Sequence, residues 1–599
     1  MAENLLAALE YPYDCELLLR KRKSLRRQLL ARKEEAYIEK RIAILGGSTT
    51  ADVKDMLELF LLGAGIRPSF YESEYNRFYE DAVFGNSELD DFAPEIVIIW
   101  TSFVNLLNTP KIKDTPAEIA AKLNEDYRRF ERVWESLAER YNTVVIQNNI
   151  ELPYMRPLGN LDGSLPQGIC CYVEELNKRF ALYAEKNTGF YLHDLHYLAA
   201  KIGLAHFYNP FQYYGFKFAV NYDAVPEAAA GLAHLTGAVL GKTKKCLVLD
   251  LDNTIWGGVI GDDGVENIQL GHETPAAEAY TEFQRYVLEL KNRGVILAVC
   301  SKNDEDIAKA GFNHPDSVLS YDDFAAFHAN WEPKDINIRA IAQEINIGLD
   351  SLVFIDDNPA ERAIVRQSLP EVAVPEVDVR DVFSYIRAIE ENAYFEVASL
   401  SEDDFKRNET YRKNRERIKL AGSVGSYEEY LQSLKMQAEL AAFKPIYFDR
   451  IAQLTGKSNQ FNLTTRRYTR ADIENMASNS RFITLYGRLS DCFGDNGLIA
   501  AAIGEQKGLE LHILLWLMSC RVLKRGMENV MLDKLVGEAN DREIKEIYGY
   551  YYPTKKNKMV AGLYESFGFE KVNEDGVGNS VWRLPVAGYE KQGRFIKIL

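Results

Sequence analysis

Nowhere does the chain carry an apolar run long enough to cross a bilayer. The longest, around Leu511–Met518, is interrupted by His512 and falls far short of the roughly 20 residues a spanning helix requires. The opening residues, MAENLLAALEYPYDC, have neither the basic start nor the apolar core of a secretory signal. Cysteine is scarce. There are seven in 599 residues, and only Cys170 and Cys171 lie side by side, so a disulfide framework is excluded. Positive charge is in deficit, with 71 Lys and Arg against 88 Asp and Glu. The resulting net charge of −17 disfavours non-specific attraction to nucleic acid or to an anionic membrane, although it leaves local basic patches open. Internal repeats and low-complexity tracts are also missing. These absences point to the reducing cytoplasm, with no nucleic-acid partner and no membrane partner.

What is present is an ordinary globular composition, 47% apolar and 27% charged, in a chain too long for one core. Residues 1–40 read as helix, with the basic run Arg20–Arg27 on a solvated face. From Arg41 the pattern becomes strand, glycine turn, helix. Buried strands are expected at RIAILGG (41–47), EIVIIW (95–100) and NTVVIQN (142–148), with helices at 116–140 and 173–187. This alternation predicts a parallel sheet covered by helices on both faces, ending near residue 235. A second alternating series follows, with strands at 246–250, 295–300, 351–356 and 371–377 and helices at 276–292, 304–310, 334–346 and 359–368. Residues 401–422 read as a charged connecting helix, and an α+β pattern runs from about 425 to the end.

The second series carries the chemistry. Its first strand ends in "LDLDNT", with Asp250 and Asp252; its second ends in Ser301-Lys302-Asn303-Asp304; a later one ends in Asp356-Asp357. Ligands of parallel α/β sheets bind at the carboxyl ends of strands, so these groups are expected to converge. Lys334, where the loop NWEPKD enters a helix, can join them. A single aspartate after a strand is commonly a helix cap. Four such signals in order favour a site.

This set resembles the haloacid-dehalogenase (HAD) phosphohydrolases. The resemblance implies Asp250 as the nucleophile, Asp252 as acid and then base, Ser301 and Lys334 as phosphoryl-oxygen ligands, and Thr254 as a brace of the turn, with Asn303 beside the phosphate. It implies Mg²⁺ held by Asp250, the backbone carbonyl of Asp252 and one of the terminal acids, Asp357 favoured over Asp356. Carboxylates suit that hard cation, and phosphoryl transfer needs charge neutralisation and positioning above all. Neither the Asp250–Ser301 nor the Ser301–Lys334 gap has room for a cap domain, which leaves the site open to a substrate displayed by a macromolecule or by another domain.

The longer strings "DLDNTIWGGVIGDDGVENIQLG", "CSKND", "WEPK", "FIDDNPAER", "FGDNGLI" and "SCRVLKRGMEN" are similar to FkbH-like proteins over roughly 240–590. Those proteins join a subfamily IIIC HAD domain to an acetyltransferase-like (GNAT) domain. The resemblance implies dephosphorylation of 1,3-bisphosphoglycerate and loading of a glyceryl group on an acyl carrier protein. "YYPTKKNKMVAGLYESFGFEKV" resembles the closing segment of the GNAT fold. In "RVLKRGMEN", the residues Arg521, Lys524, Arg525 and Gly526 form a basic turn in place of a fuller glycine loop. It would receive the phosphate of a phosphopantetheine arm or of a phosphoglycerate. Cys520, just before it, is the expected acyl acceptor, because neighbouring positive charge favours a thiolate; a buried structural cysteine is the alternative.

In the N-terminal region "ILGGSTTAD", "WTSFVNL" and "YLHDLHYLA" resemble SGNH hydrolases, with Ser48, Asn105 and His196 at the serine, oxyanion-donor and histidine positions. His193 stands where that family has its aspartate, so a degenerate scaffold is preferred. The expected fold class is therefore multidomain α/β. It comprises a helical segment (1–40), an SGNH-like domain (41–238), a capless, Rossmann-like HAD domain (239–395), a charged connector (396–425) and a GNAT-like α+β domain (426–599). Two further readings stay open: a capless phosphatase for a small metabolite with a vestigial acyltransferase domain, and a non-catalytic assembly protein.

Overall fold

The computed structural model describes residues 7–32, 37–141, 143–400, 402–408, 413–414, 417, 420, 425–458, 460–519, 522–554 and 556–599. The chain forms two compact units, Met1–Val239 with Thr469–Asp472, and Leu240–Tyr468 with Ile473–Leu599. No described helix is long and apolar enough to cross a membrane.

The first unit contains five strands, β1 (Ile38–Gly46), β2 (Ile66–Glu72), β3 (Ile96–Trp100), β4 (Val144–Asn148) and β5 (Phe190–His193), in the order β2-β1-β3-β4-β5. All pairings are parallel. β3 and β4 are buried at every position, as expected of strands covered on both faces. β2 escapes the hydrophobic pattern because it is an edge strand. Its sequence IRPSFYE alternates in burial only at its start, and Pro68 is tolerated where one side of the ladder is unpaired. The N-terminal helix covers Cys15–Leu30 and buries Leu18, Leu25 and Leu29, but β1 already begins at Ile38. The helical reading of 1–40 is thus corrected at its end.

In the second unit, β6 (Cys246–Leu249), β7 (Ile296–Ser301), β8 (Ala326–Ala329) and β9 (Leu352–Ile355) form a parallel sheet in the order β8-β7-β6-β9. Leu247, Leu249, Leu297, Val299, Val353 and Ile355 pack on one face. Cys246, Val248, Ile296, Ala298, Cys300 and Phe354 pack on the other. The expected strand at 371–377 is reduced to one bridge, between Val353 and Ala373. Phe354 donates to the Ala373 carbonyl at 2.8 Å, and two residues later Pro375 has no N–H to continue the ladder.

The third sheet has nine strands: β10 (Met436–Ala441), β11 (Phe461–Asn462), β12 (Phe482–Asp491), β13 (Gly494–Lys507), β14 (Glu510–Met518), β15 (Glu546–Tyr551), β16 (Glu570–Glu574), β17 (Ser580–Pro585) and β18 (Ile596–Ile598). β12, β13 and β14 are antiparallel neighbours. β14 pairs with β15 in parallel for three residue pairs only, Glu510–Glu546 to His512–Tyr548. Past that point β11 pairs with the far end of β14, and the Leu463 carbonyl accepts from Tyr552 N at 2.9 Å. The segment at 461–464 therefore fills the gap where β14 and β15 part.

The connecting segment is less solvated than its charge implies. Its Arg417 is buried and forms a two-pronged ion pair with Asp491, Nε to Oδ2 at 2.9 Å and Nη2 to Oδ1 at 2.8 Å. Asp491 also accepts from Phe493 N at 2.9 Å and Asn496 Nδ2 at 3.2 Å. Arg525 Nη1 adds a third cationic contact at 3.2 Å. Two buried guanidinium groups thus depend on one carboxylate. Asp491→Ala is expected to destabilise the C-terminal region by about 3–5 kcal/mol, the usual result of removing one partner from a buried pair. Calorimetric unfolding checks this, and a transition unchanged from wild type would contradict it.

Candidate active site

β6 is fully buried and ends at Leu249. Asp250 N still donates to the Ile355 carbonyl at 3.0 Å, so the first acid is held at the very edge of the sheet. The chain then turns sharply. Thr254 N and Ile255 N return to the Leu251 carbonyl at 3.1 and 2.9 Å. Asn253 sits at φ +53°, a conformation asparagine tolerates better than most residues. Its side chain accepts from Gly258 N at 3.0 Å, and its carbonyl accepts from Tyr385 Oη at 3.1 Å. Trp256 is fully buried in the core below. These contacts fix the direction of both aspartates before any ligand arrives.

Asp250, Asp356 and Asp357 have carboxylate oxygens within 4.8 Å of one another. Lys334 enters from the start of the helix Lys334–Glu344, its Nζ 2.9 Å from Asp250 Oδ1 and bonded to Asp356 Oδ2. Lys334, Asp250 and Asp356 are all buried. Burial works against the Lys334 charge, but Asp250 and Asp356 outweigh it and hold the amine above its ordinary range. One ammonium cannot balance three carboxylates. Burial first, and then the Asp250 charge, push Asp356 up to about 7 and Asp357 up to about 6.

Asp252 occupies the next position outward and plays a separate part. Its Oδ1 accepts from Trp256 Nε1 at 2.9 Å and Ile260 N at 3.1 Å, and its Oδ2 accepts from Asn303 Nδ2 at 2.8 Å. Asn303 also reaches Ser301 Oγ at 3.3 Å, which ties the end of β7 to that of β6. Thr254 Oγ1 accepts from Asp357 N at 3.2 Å and so links the first turn to the acidic pair. Two contributors were not singled out in the sequence. Trp256 orients Asp252, and the buried Arg362 donates to the carbonyls of Asp356 and Asp357 at 2.7 and 2.8 Å. Both lie within motifs quoted above, but an indole and a guanidinium have commoner uses that sequence does not separate from these.

The donor set fits a hard divalent cation. Three convergent carboxylates supply oxygen ligands, and the buried Asp250 Oδ1 has no hydrogen bond of good geometry despite its closeness to Lys334. Asp356 is already committed, Oδ2 to Lys334 and Oδ1 to Asn358 N at 2.8 Å. Asp357 is the freer of the pair.

The other expected residues are dispersed. Cys520 and Arg521 lie outside the described residues. Lys524 is exposed, and its carbonyl accepts from Tyr427 Oη. Gly526 caps the helix Met527–Asp541 at φ +82°, a backbone conformation natural to glycine. Arg525 was expected to face an anion, but it is buried against Asp491 and reaches Asn414 Oδ1 at 3.1 Å. At the same helix start the Glu528 carboxyl lies beside the amides of Gly526 and Glu528, and burial raises it above its ordinary range. Burial drives the Cys246 and Cys300 thiols far above their usual range, which removes both as nucleophiles.

In the first unit, Ser48 Oγ is buried without a hydrogen-bond partner. Asn105 is spent internally: Nδ2 donates to the Gly47 carbonyl at 2.7 Å and to Asn76 Oδ1 at 3.2 Å, and Oδ1 accepts from Ser102 N at 2.9 Å. His196 Nδ1 lies 3.1 Å from the Ile150 carbonyl and 3.3 Å from Asn177 Nδ2. Among the described residues, Ser48 and His196 form no hydrogen bond with each other. His193 is buried and pushed down to about 4 by desolvation.

The family model for the FkbH N-terminal domain matches residues 41–235. A solved structure described as the N-terminal part of the protein BF1531 from Bacteroides fragilis, containing a phosphatase domain complexed with Mg, is 33% identical. That match covers 65% of this chain and 100% of that chain, with a TM-score of 0.58. The ribosomal-protein-S18-alanine N-acetyltransferase from Escherichia coli is 14% identical over 26% of this chain and 100% of that chain, with a TM-score of 0.21. No curated protein matches.

The acid cluster makes a cation-dependent stability testable. Without a cation, Asp356 and Asp357 titrate at about 7 and about 6, above their ordinary value of 3.8. Stability from these raised groups is fully present below about pH 4 and lost as the pH rises through both values. A bound divalent ion reverses that loss, stabilising the fold by about 2.7 kcal/mol at a hundred times its Kd. The melting temperature is therefore expected to rise more on adding Mg²⁺ at pH 8 than at pH 5. Equal rises at the two pH values would place the cation elsewhere.

Proposed function

Since the chain belongs to the FkbH-like family of HAD proteins, we propose that its HAD-type phosphatase site acts on a phosphorylated small molecule and works together with acyl transfer. The carrying observation is Lys334 set between Asp250 and Asp356, with Asp357 beside them and Asp252 one step outward. In this reading an Asp250 oxygen attacks phosphorus and the leaving oxygen departs with the proton of Asp252. Asp252 then takes a proton from water, whose oxygen attacks the phosphoaspartate and restores Asp250. Splitting the displacement in two replaces one hard step with two easier ones. Lys334, Ser301 and Asn303 hold the phosphoryl oxygens, and Thr254 braces the turn. The residues fit Mg²⁺, with Asp250, Asp357 and the Asp252 carbonyl as ligands and Asp356 beside them; bound there, it neutralises charge on the transferring group.

For the acyl half, the proposed substrate is 1,3-bisphosphoglycerate and the proposed product a glyceryl group on the phosphopantetheine arm of an acyl carrier protein, in a reducing cytoplasm. Cys520 is the proposed first acceptor, with Arg521 and Lys524 beside it. The first unit, doubly wound and with Ser48 and His196 uncoupled, serves as a scaffold. The gaps Asp250–Ser301 and Ser301–Lys334, too short for a cap domain, support a substrate displayed by a macromolecule or by another domain. One observation favours the plain phosphatase as a second reading. Arg525 is turned inward against Asp491, so that turn offers a phosphate less positive charge than its sequence implies.

Asp250→Asn is expected to reduce p-nitrophenyl phosphate hydrolysis to background while the melting temperature stays close to wild type. Asp252→Asn is expected to retain Mg²⁺ binding but lose about 10²–10⁴-fold in rate, the usual contribution of a positioned acid or base. Hydrolysis surviving in Asp250→Asn would remove this residue as nucleophile.

Intact-mass measurement after incubation with 1,3-bisphosphoglycerate and Mg²⁺ is expected to reveal a glyceryl adduct that Cys520→Ala eliminates. An adduct retained in Cys520→Ala moves the acceptor role, and none in wild type leaves the plain phosphatase.

A further inference from the structure

On the third sheet, three side chains from adjacent strands line up as acid, imidazole and hydroxyl. His512 on β14 has Nε2 3.1 Å from Glu510 Oε2 and Nδ1 2.7 Å from Tyr550 Oη. A carboxylate beside Nε2 favours a proton there, which leaves Nδ1 to accept from the phenol. The rings are held in place. His512 stacks on Tyr548, its parallel-sheet partner, with centroids 5.2 Å apart at 14°, and on Tyr550 at 6.0 Å and 23°. Glu546 fixes Tyr548 by accepting its hydroxyl at 2.9 Å.

The location argues for access. His512 and Tyr548 form the last paired rung before β14 and β15 part, and because 461–464 fills the gap beyond it, access is from the sheet face, where Tyr550 is half-buried. Glu510 is 45% exposed at its side chain and His512 13%. Exposed Arg466, bonded to Tyr468 and Tyr552, places positive charge near Tyr550. Glu505, opposite His512 on β13, is neutralised by Arg481 at 2.7 Å and Lys507 at 3.3 Å. Burial first, then Tyr552 and Glu510, keep the phenol protonated, so Tyr550 reacts only when His512 takes its proton.

We infer that Glu510, His512 and Tyr550 form a nucleophilic relay that accepts acyl groups from activated esters or thioesters. Tyr550 Oη bonds to the acyl carbon, its proton passes to His512 Nδ1, and the bond to the leaving oxygen or sulfur breaks. The leaving group carries away the electron pair and then takes the proton from His512. The positive charge of nearby Arg466 offsets the oxyanion formed on the way, while Glu510 positions His512 and offsets its charge. This inference rests on the acyl-transfer half of the reading above. Phosphate release at Asp250 does not depend on it.

The test uses the full chain and p-nitrophenyl acetate as acyl donor, with peptide mapping by mass spectrometry. Tyr550 is expected to acquire an acetyl group faster than any other of the 34 tyrosines. Tyr550→Phe is expected to abolish that modification, whereas Tyr548→Phe retains it. His512→Gly is expected to slow it about 10²-fold, and added imidazole to restore it, which a purely structural role for His512 would not produce. Hydrolysis of p-nitrophenyl phosphate is expected to stay unchanged in each variant, so loss of the relay and loss of the phosphatase are read separately. Acetylation of Tyr550 no faster than of other tyrosines, or undiminished in His512→Gly, overturns the inference.

Discussion

A single ammonium group between two buried carboxylates organises the carboxyl end of the second sheet. Lys334 reaches across from its helix to Asp250 after β6 and to Asp356 after β9. Without it, three acids at close range would repel one another in a poorly solvated place, and burial would force protons onto them. With it, one positive charge is still too few. The remaining negative charge makes the site receptive to a cation and to an electron-poor phosphorus. Local rigidity follows from the same arrangement. Arg362 holds the backbone of the acidic pair, Thr254 joins it to the first turn, and Tyr385 locks that turn from behind.

The two aspartates of the first turn share a spacing but not an environment. Asp250 faces Lys334 and the other acids, whereas Asp252 faces an indole N–H, a backbone amide and the Asn303 amide. In the proposed mechanism one bonds to phosphorus and the other handles a proton. The division of labour comes from different neighbours acting on one residue type.

The C-terminal region illustrates how charge in a sequence misleads. The basic turn RVLKRGMEN reads as a receiver of phosphate and residues 401–422 as a charged connecting helix. Yet Arg417 and Arg525 are drawn inward by Asp491, a residue more than thirty positions from either. Conversely, Glu510, His512 and Tyr550 carry no sequence signal, because residues 38 positions apart meet only when β14 and β15 pair.

Sequence by itself determined the parallel sheets, because strands buried on both faces must be almost wholly apolar, as IVIIW and CLVL are. It also located the acids that meet beyond β6 and β9, because their positions follow directly from where such strands end. Edge strands such as β2 and β8 left no comparable mark, since half their surface faces outward and tolerates Arg67, Pro68 or His328. The resemblance favoured Asp357 over Asp356 as the cation ligand, but only tertiary structure supplied a physical reason, the commitment of Asp356 to Lys334 and Asn358 N. Tertiary structure alone decided which arginines are open and which are buried. Composition specifies how much charge a chain carries, but only folding brings distant partners within the few ångströms over which a buried ion pair forms.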